Sequence, residues 1–412
     1  MNILLINHYA GSPKHGMEYR PYYLSKKWID QGHNVSIISA SHSHVRQQQP
    51  NTKGQSWYNE KIDGIDYHWV KTNAYSGNGL GRILNILSFV LKLFINKQKI
   101  SKLIKPDVVI ASSTYPLDNY PARSIARMNK AKYIYEVHDI WPLSPIELGG
   151  FSKWHPYIML LQASECYAYK YADQVVSMLP KAAEHMISKG LDPAKFHYIP
   201  NGVELQEWEQ KQVTPDSHLQ LINKLKKENK QLIAYTGSLG LANSIETLLE
   251  AAKILQSNHE LCFLIIGGGP EKENLKKISQ SYDLNNVYFL DPVPKKCIPD
   301  LLSHFDILYI GLQKQSLFRF GISPNKLIDY MMASKPIIQA INAGNDMVGD
   351  AKCGISVEAE NPQAICEAVL KLSQKSPQQK ADIGLNGHKF VLSHHEYSIL
   401  ADRFLKIMKF KP

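Results

Sequence analysis

Cysteine is scarce in this chain, and its few cysteines are not arranged to form disulfides or to bind a metal. Only 5 of the 412 residues are cysteines, and no two of them form a Cys-x-x-Cys pair. A disulfide framework or a zinc site is therefore not expected, and a reducing compartment fits best. The N-terminus lacks a basic region and has only a short apolar run, so we expect no signal peptide and a cytoplasmic protein.

Motifs for two large classes of nucleotide-binding enzyme are also missing. The sequence contains no Gly-x-x-x-x-Gly-Lys-Ser/Thr, which disfavours a P-loop kinase or ATPase. It contains no Gly-x-Gly-x-x-Gly either, which disfavours a dinucleotide oxidoreductase. If the chain binds a nucleotide, it does so with another arrangement of loops.

Acidic residues are too few to balance the basic ones. Lys and Arg number 47 against 37 Asp and Glu, which gives a formal net charge of +10 and a sequence pI of about 9.1. An acidic partner or surface would account for this excess. No DNA- or RNA-binding motif is present and the lysines are dispersed, so nucleic acid is not expected and anionic lipid remains.

One mainly apolar stretch with a basic end, residues 80–105, is relevant to such a surface. Asn85 and Lys92 interrupt it, so it lacks the roughly 20 clean apolar residues of a bilayer-spanning helix. Two interpretations stay open. The stretch is either a helix that lies in the membrane interface, or a buried crossover helix whose lysines are solvated.

Short β-rich runs alternate with helical patterns in both halves of the chain. Their positions are 3–6, 35–39, 107–111 and 133–137 in the first half, and 232–235, 261–266, 286–290 and 306–310 in the second. This alternation is typical of parallel sheets wrapped by helices, and the length suits two domains of about 200 residues. We predict two doubly wound α/β domains, 1–203 and 231–396, joined by a Gln-, Glu- and Lys-rich linker at 204–230.

Residues 320–332 carry the most informative chemistry. Gly321 and Pro324 precede a predicted helix, Lys326 lies in its first turn, and Asp329 follows one turn later on the same face. A helix start favours anions, and the lysine adds a cation. The phosphates of a nucleotide diphosphate suit the cation and the helix dipole, and a ribose diol suits the carboxylate. A sugar-nucleotide enzyme is therefore the leading hypothesis.

Glycine-rich turns follow two strands of the second half, at Thr236–Gly240 and Gly267–Pro270. In doubly wound sheets, ligands bind at the carboxyl ends of the strands, where such turns let backbone amides reach phosphate. Glycines also serve as plain turns, so neither loop alone identifies a site. Together with the Lys326 helix they favour a phosphate site in the second domain.

Several motifs together resemble one enzyme family. They are His8-Tyr9-Ala10-Gly11-Ser12-Pro13, Gly16-Met17-Glu18-Tyr19-Arg20, Glu136-Val137-His138-Asp139-Ile140-Trp141-Pro142, Ile199-Pro200-Asn201-Gly202-Val203, Gly267-Gly268-Gly269-Pro270-Glu271 and Ser323-Pro324-Asn325-Lys326 through Tyr330. Along nearly its whole length the chain resembles the retaining glycosyltransferases of family 4, in particular the WbuB-like branch of O-antigen and capsule assembly.

The resemblance implies the GT-B fold, in which two Rossmann-like domains face each other across a cleft. The N-terminal domain of such enzymes binds the acceptor, and the C-terminal domain binds the nucleotide sugar. A terminal helix, here about 397–412, usually crosses back onto the N-terminal domain. No metal or other cofactor is implied, and the sequence has no Asp-x-Asp to bind one.

The family's donor site typically has two acids with seven residues between them, and this chain departs from that pattern. Asp329 matches the second acid, which binds the ribose, whereas Gly321 stands in place of the first. The first loop of the C-terminal domain also lacks the Arg and Lys that the family commonly has. Lys326 is therefore the best candidate to stabilise the leaving group, Arg319 is a weaker one, and backbone amides supply the rest.

The residues expected to contact the donor lie in the loops at strand ends or at a helix start. They are Gly16, Gly237, Ser238, Asn243, Gly268, Gly269, Arg319, Ser323, Asn325 and Asp329.

His138 and Asp139 are, with Lys326, the catalytic candidates. His138 matches a position that contacts the donor sugar near the reacting carbon in similar enzymes, and Asp139 would orient it or bind the acceptor. The alternative is that Asp139 caps a turn and His138 is merely packed. Glu18 and Arg20 are expected near the acceptor, where Arg20 would bind a phosphate or form a surface ion pair with Glu18.

These inferences predict a retaining, metal-independent glycosyltransferase of surface polysaccharide biosynthesis. It would transfer a sugar from a UDP-sugar to a hydroxyl group of a polyprenyl-diphosphate-linked saccharide, at the cytoplasmic face of the inner membrane. The branch suggests an N-acetylated amino-deoxy sugar. Two alternatives stay open: a UDP-sugar 2-epimerase of the same fold, and a non-catalytic subunit that binds nucleotide or glycan.

Overall fold

The computed structural model describes residues 1–16, 19–77 and 79–410, and the chain divides into two compact units. Unit 1 comprises Met1–Asn201 and the segment from Tyr397 onward, and unit 2 comprises Gly202–Glu396. Glu18, one of the two residues predicted to contact the acceptor, lies outside the described residues, so its role stays a prediction.

Unit 1 is built on a mostly parallel sheet. Its strands are β1 (Asn2–Ile6), β2 (Asn34–Ala40), β3 (Trp57–Ile62), β4 (Ile65–Val70), β5 (Val108–Ala111), β6 (Lys132–Val137), β7 (Gln174–Ser177) and β8 (Phe196–Tyr198). In the described part of the chain their spatial order is β3-β4-β2-β1-β5-β6-β7-β8, and β3 is antiparallel to β4. The central strand β5 is buried along its whole length, as expected for a parallel sheet covered on both faces.

Helices cover both faces of this sheet. They are α1 (Arg20–Asp30), α2 (Leu80–Ile95), α3 (Lys97–Ile104), α4 (Asn119–Asn129), α5 (Leu143–Glu147), α6 (Pro156–Tyr171), α7 (Ala183–Ser188) and the C-terminal α17 (Tyr397–Lys409). Helices α1 and α17 pack together with β1, β2 and β5 in one hydrophobic core. Residues of α2 and α6 contribute to a second core, around Tyr9 and Tyr115.

Unit 2 has a fully parallel sheet. Its strands are β9 (Gln231–Thr236), β10 (Leu261–Ile266), β11 (Val287–Leu290), β12 (Ile307–Gly311), β13 (Ile337–Ala340) and β14 (Gly354–Val357), in the order β11-β10-β9-β12-β13-β14. Its helices are α8 (Leu205–Glu209), α9 (Asp216–Lys227), α10 (Ile245–Ile254), α11 (Lys272–Ser281), α12 (Ile298–Ser303), α13 (Asn325–Met332), α14 (Met347–Ala351), α15 (Pro362–Ser373) and α16 (Pro377–His394). The prediction of two doubly wound α/β domains is confirmed.

Residues 204–230, predicted as a linker, are instead part of unit 2. They contain α8 and α9, and His218, Ile222 and Leu225 of α9 are buried. These three side chains lie four and three residues apart, so they form one narrow buried stripe on the helix. The surrounding Lys, Glu and Gln residues mask this stripe in the sequence.

Helix α2 has both a core face and an exposed apolar face. Asn85, Ile86, Phe89 and Leu93 are buried, whereas the opposite side exposes large apolar side chains. These exposed residues are Leu80, Leu84, Leu87, Leu91, Phe94 and Ile95. In the described ranges, no helix combines the length and apolar character needed to cross a bilayer.

Candidate functional site

A pocket of about 270 Å³ lies at the carboxyl ends of three adjacent strands of unit 2. Its lining residues are Thr236, Gly237, Ser238, Ile266, Gly267, Gly268, Pro292, Val293 and Ile298. The strands β9, β10 and β11 are neighbours in the parallel sheet, so the loops that follow them meet at one place. Gly237, Ser238 and Gly268, which the sequence predicts for the donor site, therefore share one pocket.

The two glycine-rich loops pack backbone to backbone. The N–H of Leu239 donates to the carbonyl of Gly268 at 2.8 Å. A Cβ added to Gly267 would overlap the carbonyl oxygen of Gly237, and one added to Gly269 would lie 2.5 Å from that of Leu239. Gly267 and Gly269 are thus required by the packing of the loops, and no contact of Gly269 with a donor is needed to explain it.

Lys326 borders this pocket from the first turn of α13. Its Nζ donates to Tyr235 Oη at 2.6 Å and to Asn243 Oδ1 at 3.1 Å, and it lies 4.0 Å from the centroid of the Tyr235 ring. A Cβ added to Gly237 would lie 2.7 Å from Lys326 Cε, so glycine at this position makes room for the lysine. The structure brings together three residues predicted separately, namely Lys326, Asn243 and Gly237.

The surroundings of the Lys326 ammonium group favour the binding of an anion. Among the described residues, its hydrogen-bond partners are neutral and no carboxylate forms an ion pair with it. Burial lowers the pKa of Lys326 from 10.5 to about 7. A bound diphosphate would supply the missing negative charge and stabilise the charged form.

Asp329 lies one turn further along α13 and is partly buried. Its carboxylate has no hydrogen-bond partner among the described residues. Burial raises its pKa from 3.8 to about 6, while the nearby Lys295 lowers it and Glu207 raises it. A carboxylate with both oxygens available is suited to accept hydrogen bonds from the two hydroxyls of a ribose.

Tyr330 holds α13 against the end of β9. Its Oη accepts a hydrogen bond from the N–H of Thr236 at 2.7 Å and lies 3.2 Å from the Thr236 carbonyl oxygen. Because Lys326 and Asp329 belong to the same helix, this buried contact positions both of them relative to the loops at the strand ends.

Gly321, which replaces the family's first acid, has a backbone conformation that suits glycine alone. Its φ is 98° and its ψ is 172°, a region that is sparsely populated by residues with a Cβ. The N–H of the next residue, Ile322, donates to Asn345 Oδ1 at 2.7 Å and helps to fix the turn. The backbone conformation at this position therefore explains why glycine, and not an acidic residue, occupies it.

The other predicted donor residues do not join the Lys326 pocket. Arg319 is exposed, donates to the carbonyl of Ser316 at 2.6 Å, and lines a separate open depression of about 790 Å³. Asn325 is exposed at the start of α13, and Ser323 lies two residues before it. Gly16 belongs to unit 1, where its φ of 87° allows the turn before α1.

In unit 1, His138 is held in a hydrogen-bond network at the carboxyl end of β6. Its Nε2 lies 2.9 Å from Ser112 Oγ and 3.4 Å from Glu136 Oε2, and Ser112 Oγ donates to the same carboxylate oxygen at 2.5 Å. Because the serine hydroxyl donates to Glu136, its oxygen accepts from an Nε2–H of His138. In the neutral ring, Nδ1 is then the acceptor nitrogen.

Glu136 is fully buried and stays ionised. Burial alone would raise its pKa, but Arg20, His138 and Ser112 together hold the pKa well below its usual range. Glu136 and Ser112 thus position His138, and sequence reasoning missed both. The Glu-x-His spacing was an available signal, because residues two apart on a strand point to the same side.

Arg20 does not have the predicted acceptor-phosphate role in this structure. Its side chain is 5% exposed and pairs with Glu136 at 3.0 Å. It also donates to the carbonyls of Ile199 and Pro200. Arg20 lies in the first turn of α1 and turns inward to the buried Glu136 carboxylate instead of outward to a ligand.

Asp139 is exposed and follows His138 directly. Its carbonyl accepts a hydrogen bond from the N–H of Trp141 at 3.1 Å, so the residues after β6 form a tight turn. The guanidinium carbon of Arg82, from α2, lies 5.5 Å from the centroid of the Trp141 ring. Sequence reasoning assigned no role to Arg82.

Across residues 1–16, 19–77 and 79–410, no three His, Cys, Asp or Glu side chains are grouped so that they could hold a metal ion.

Two family models match consecutive parts of the chain. Residues 15–207 match the model described as glycosyltransferase family 4, and residues 219–390 match the model described as glycosyl transferases group 1. The two matches fall largely in unit 1 and unit 2, respectively.

Individual proteins show the same similarity. The chain is 25% identical to WcaI of Escherichia coli K12, described as a colanic acid biosynthesis glycosyl transferase, over 74% of this chain and 75% of that protein. It is 23% identical to WbjE of Pseudomonas aeruginosa, described as a glycosyltransferase, over 73% of each. The structure of HepE from Anabaena, in complex with UDP and glucose, superposes with a TM-score of 0.68 at 16% identity and covers 100% of both chains.

Proposed function

The chain belongs to family 4 of the GT-B glycosyltransferases, and from this premise we propose that it transfers a sugar from a UDP-sugar to a hydroxyl group of a lipid-linked saccharide, with retention of anomeric configuration. The observation that carries the proposal is the pair of groups on α13. Lys326 is a partly buried cation that borders the glycine-rich pocket of unit 2, and Asp329, one turn further along the helix, is an acid without a hydrogen-bond partner among the described residues.

The arrangement of this pocket supports a nucleoside diphosphate as the donor. Lys326 and the start of α13 supply positive charge for the diphosphate, and Asp329 supplies acceptors for the ribose. The pocket beyond them, between Pro292 and Ile298, is of a size and polarity suited to a base. HepE, whose structure has UDP bound, shares the fold and supports UDP as the first nucleotide to test.

The reaction proposed for these residues is a substitution on one face of the sugar. The bond from the anomeric carbon to the diphosphate oxygen breaks, and the acceptor oxygen forms a bond to the same carbon. The departing diphosphate oxygen takes the acceptor's proton. Lys326 stabilises the charge on this leaving group in place of the missing Arg and Lys, and no carboxylate nucleophile or metal ion is needed.

His138 is proposed to contact the donor sugar near the reacting carbon. Its ring is fixed through Nε2 by Ser112 and Glu136, which would orient the imidazole for a hydrogen bond with a sugar hydroxyl. Asp139, which is exposed beside it, is proposed to bind the acceptor.

A lipid-linked acceptor of surface polysaccharide biosynthesis is supported by two features. The first is the similarity to WcaI, described as a colanic acid biosynthesis enzyme. The second is the exposed apolar face of α2 in a chain of net charge +10, which suits an anionic membrane surface. On this basis we propose that the protein acts at the cytoplasmic face of the inner membrane.

A panel of nucleotide sugars, incubated with the protein with and without lipid-linked acceptors, tests the proposal. We expect UDP-sugars to be hydrolysed slowly without acceptor and transferred with it, and the product to keep the donor's anomeric configuration by NMR. Lys326→Ala should lower turnover by roughly 100-fold or more, and a surface variant, Lys276→Ala, should not. Release of a free sugar epimer would select the 2-epimerase, and binding without turnover of any donor would select a non-catalytic subunit.

A further inference from the structure

A second cavity of unit 1 lies on a face of the sheet, away from His138. Its volume is about 400 Å³, and most of its polar lining comes from three neighbouring strands. These polar residues are Asn34 and Ser36 of β2, Asn59 and Lys61 of β3, and Asp66 and His68 of β4. In the sheet, β2 lies three strands from β6, the strand that His138 follows, which is about 14 Å. The cavity is therefore separate from the proposed reaction site.

The register of the strands joins these residues into one polar surface. Within each strand they lie two apart, and side chains two apart project from the same face of a sheet. Across the strands, Ser36 pairs with Asp66, and His68 pairs with Asn59. The residues between them point to the other face, where Ile37 belongs to the hydrophobic core. The cavity thus lies over a polar area of the sheet that has an apolar core beneath it.

His68 is buried in this surface with one ring nitrogen left for a ligand. The side chain is 5% exposed, and its Nδ1 lies 2.8 Å from Asn59 Oδ1, which also accepts the N–H of Trp57 at 2.9 Å. An indole N–H only donates, so this Asn59 atom is the oxygen and Nδ1 of His68 carries a proton. Burial lowers the pKa of His68, which keeps the ring neutral. Nε2 is then an acceptor, and it has no protein partner within the described ranges.

Contact with water alone does not explain this arrangement. A sheet face that only meets solvent carries exposed polar side chains, whereas His68 is buried beside a cavity. Two neighbouring groups, the Ser36 hydroxyl and the Asn59 amide nitrogen, also have no protein partner in the part of the chain that the structure describes. The cavity therefore offers an acceptor, a donor and a hydroxyl that can do both, all held in place before a ligand binds.

The ligand that matches these groups is a saccharide. Each hydroxyl group of a sugar both donates and accepts, whereas a phosphate dianion only accepts and would meet the acceptor nitrogen of His68. Lys61 and Asp66 lie 3.5 Å apart, so the cavity has charges of both signs and favours no ionic ligand. Leu103 of α3, which is 54% exposed, lines the cavity and supplies an apolar wall for the C–H groups of a sugar ring.

We propose that this cavity binds an uncharged pyranose sugar of a glycan through His68, Ser36 and Asn59, as a site separate from the reaction site. Nε2 of His68 accepts from one sugar hydroxyl, the amide of Asn59 donates to another, and the hydroxyl of Ser36 bonds in either sense. The inference goes beyond the proposed function, because it requires binding at the sheet face and no transfer. For a glycan-building enzyme, such a site is a second contact with the saccharide, which keeps the enzyme on its glycan after the product leaves the reaction site.

Saturation-transfer NMR with the methyl glycosides of glucose, galactose and N-acetylglucosamine tests the inference, with saturating UDP present to occupy the donor site. We expect at least one glycoside to bind the wild-type protein. His68→Phe keeps the bulk of the ring but removes Nε2, and it should weaken binding by about tenfold or more. Ser36→Leu fills the cavity and should abolish binding. His197→Phe is the matched control, because Nε2 of His197 on β8 likewise bonds a side-chain amide of the neighbouring strand, Gln174 Oε1, at 2.5 Å.

The two cavity variants decide where the glycoside binds. Binding by the wild-type protein and His197→Phe that is lost in both His68→Phe and Ser36→Leu, with unchanged unfolding temperature and UDP affinity, supports the inference. Equal binding by the wild-type protein and both cavity variants overturns it, because the saccharide then binds elsewhere. Absence of binding by the wild-type protein also overturns it.

A measurement on Trp57 keeps the test decisive if the cavity variants do not fold. The Trp57 ring lies 5.9 Å from that of His68, so its emission should change when a glycoside binds. The same change in wild-type and Trp57→Phe proteins, or no change in either, overturns the inference. Glycoside binding in the cavity by a protein that transfers no sugar supports it while contradicting the proposed function.

Discussion

Lys326 is the single residue on which the donor site most depends, and its protonation can be measured. Its pKa of about 7 means that the free protein holds a partly neutral lysine above neutral pH. A bound diphosphate favours the charged form and raises this pKa. We therefore expect UDP binding at about pH 8 to take up close to one proton, and UDP affinity to fall as pH rises above about 7.

Calorimetric titration of UDP in two buffers of different ionisation enthalpy gives the number of protons directly. Lys326→Met should abolish the proton uptake and lower UDP affinity by about 10- to 100-fold, the usual value of a charge-assisted hydrogen bond. Equal proton uptake by the variant and the wild-type protein would mean that a group other than Lys326 takes up the proton.

Removing the charge of Asp329 should stabilise the protein at neutral pH, whereas removing an acid that has a partner usually destabilises it. Its pKa is raised from 3.8 to about 6, so the native state binds this proton more tightly than the unfolded state, and stability falls as pH rises from about 4 to 6. Above that range the buried carboxylate costs up to about 3 kcal/mol. Asp329→Asn should therefore be more stable than wild type at pH 7 and equal to it below about pH 4.

Urea unfolding at several pH values measures this difference. The same variant should bind UDP less tightly, because an amide offers only one acceptor oxygen to the ribose diol. A variant less stable than wild type at neutral pH would mean that the carboxylate has a structural partner.

The sequence was sufficient to predict that Lys326 and Asp329 lie on one face of a helix. It was not sufficient to predict which residues surround them. These two residues lie three apart on one helix, so local geometry alone places them on one face. Tyr235 and Asn243, which hold Lys326, are separated from it by more than 80 residues, and only the parallel order of β9 and β12 brings them together. Ser112 was missed beside His138 for the same reason.

At the scale of elements, the glycine-rich loops offer a matched pair of substitutions. A Cβ at position 267 would overlap the carbonyl of Gly237, whereas one at 268 would meet only Pro292 Cγ at 3.6 Å, an ordinary contact. We expect Gly267→Ala to lower the free energy of unfolding by about 1–3 kcal/mol or more and Gly268→Ala to change it by less than about 0.5 kcal/mol. Thermal unfolding compares the two, and equal stabilities would contradict the interlocked-loop description.

Helix α2 is the element through which we expect membrane contact. Replacing Leu84 and Leu91, 62% and 59% exposed, by Glu removes apolar area and adds charge that anionic lipid repels. Binding to vesicles that contain phosphatidylglycerol should fall by about tenfold or more, with UDP affinity unchanged. The control is Ile254→Glu, because Ile254 is a similarly exposed apolar residue of unit 2, at 50%. Equal vesicle binding by both variants would exclude this face.

Residues 80–105 also show why burial could not be predicted from the pattern. A helix that is apolar on nearly all sides gives no indication of which side faces the core, and the sequence left both interpretations open. The structure buries Ile86, Phe89 and Leu93 and exposes Leu84 and Leu91, so one half of the helix is core and the other half is surface. The direction of the core is set by the sheet, which is assembled from distant segments.

At the scale of the whole molecule, the two sheets could be predicted because each strand is a short apolar run with its own turn signals. Neither the antiparallel β3 nor the destination of the last helix follows from such local patterns. Strand β3 lies at the sheet edge and none of its residues is buried, so its apolar residues do not form a continuous run. Helix α17 is separated from the rest of unit 1 by the whole of unit 2, and its packing there was expected from the family resemblance and not from the local pattern of residues.

Removal of α17 should unfold unit 1 and leave unit 2 intact. Its residues Leu400, Ala401 and Phe404 are fully buried, and Trp28 packs its ring 5.3 Å from that of Phe404. Burial of each large apolar side chain contributes about 1.5–3 kcal/mol, and the helix buries enough of them to match the 5–15 kcal/mol that stabilises a typical domain. A chain ending at Glu396 should therefore show red-shifted tryptophan emission, because Trp28 and Trp69 lie in the core of unit 1, while still binding UDP through unit 2. The milder variant Phe404→Ala should lower the free energy of unfolding by about 3–5 kcal/mol, and Lys406→Ala, at an exposed position, should hardly change it. Native tryptophan emission from the truncated chain would show that α17 is dispensable for this core.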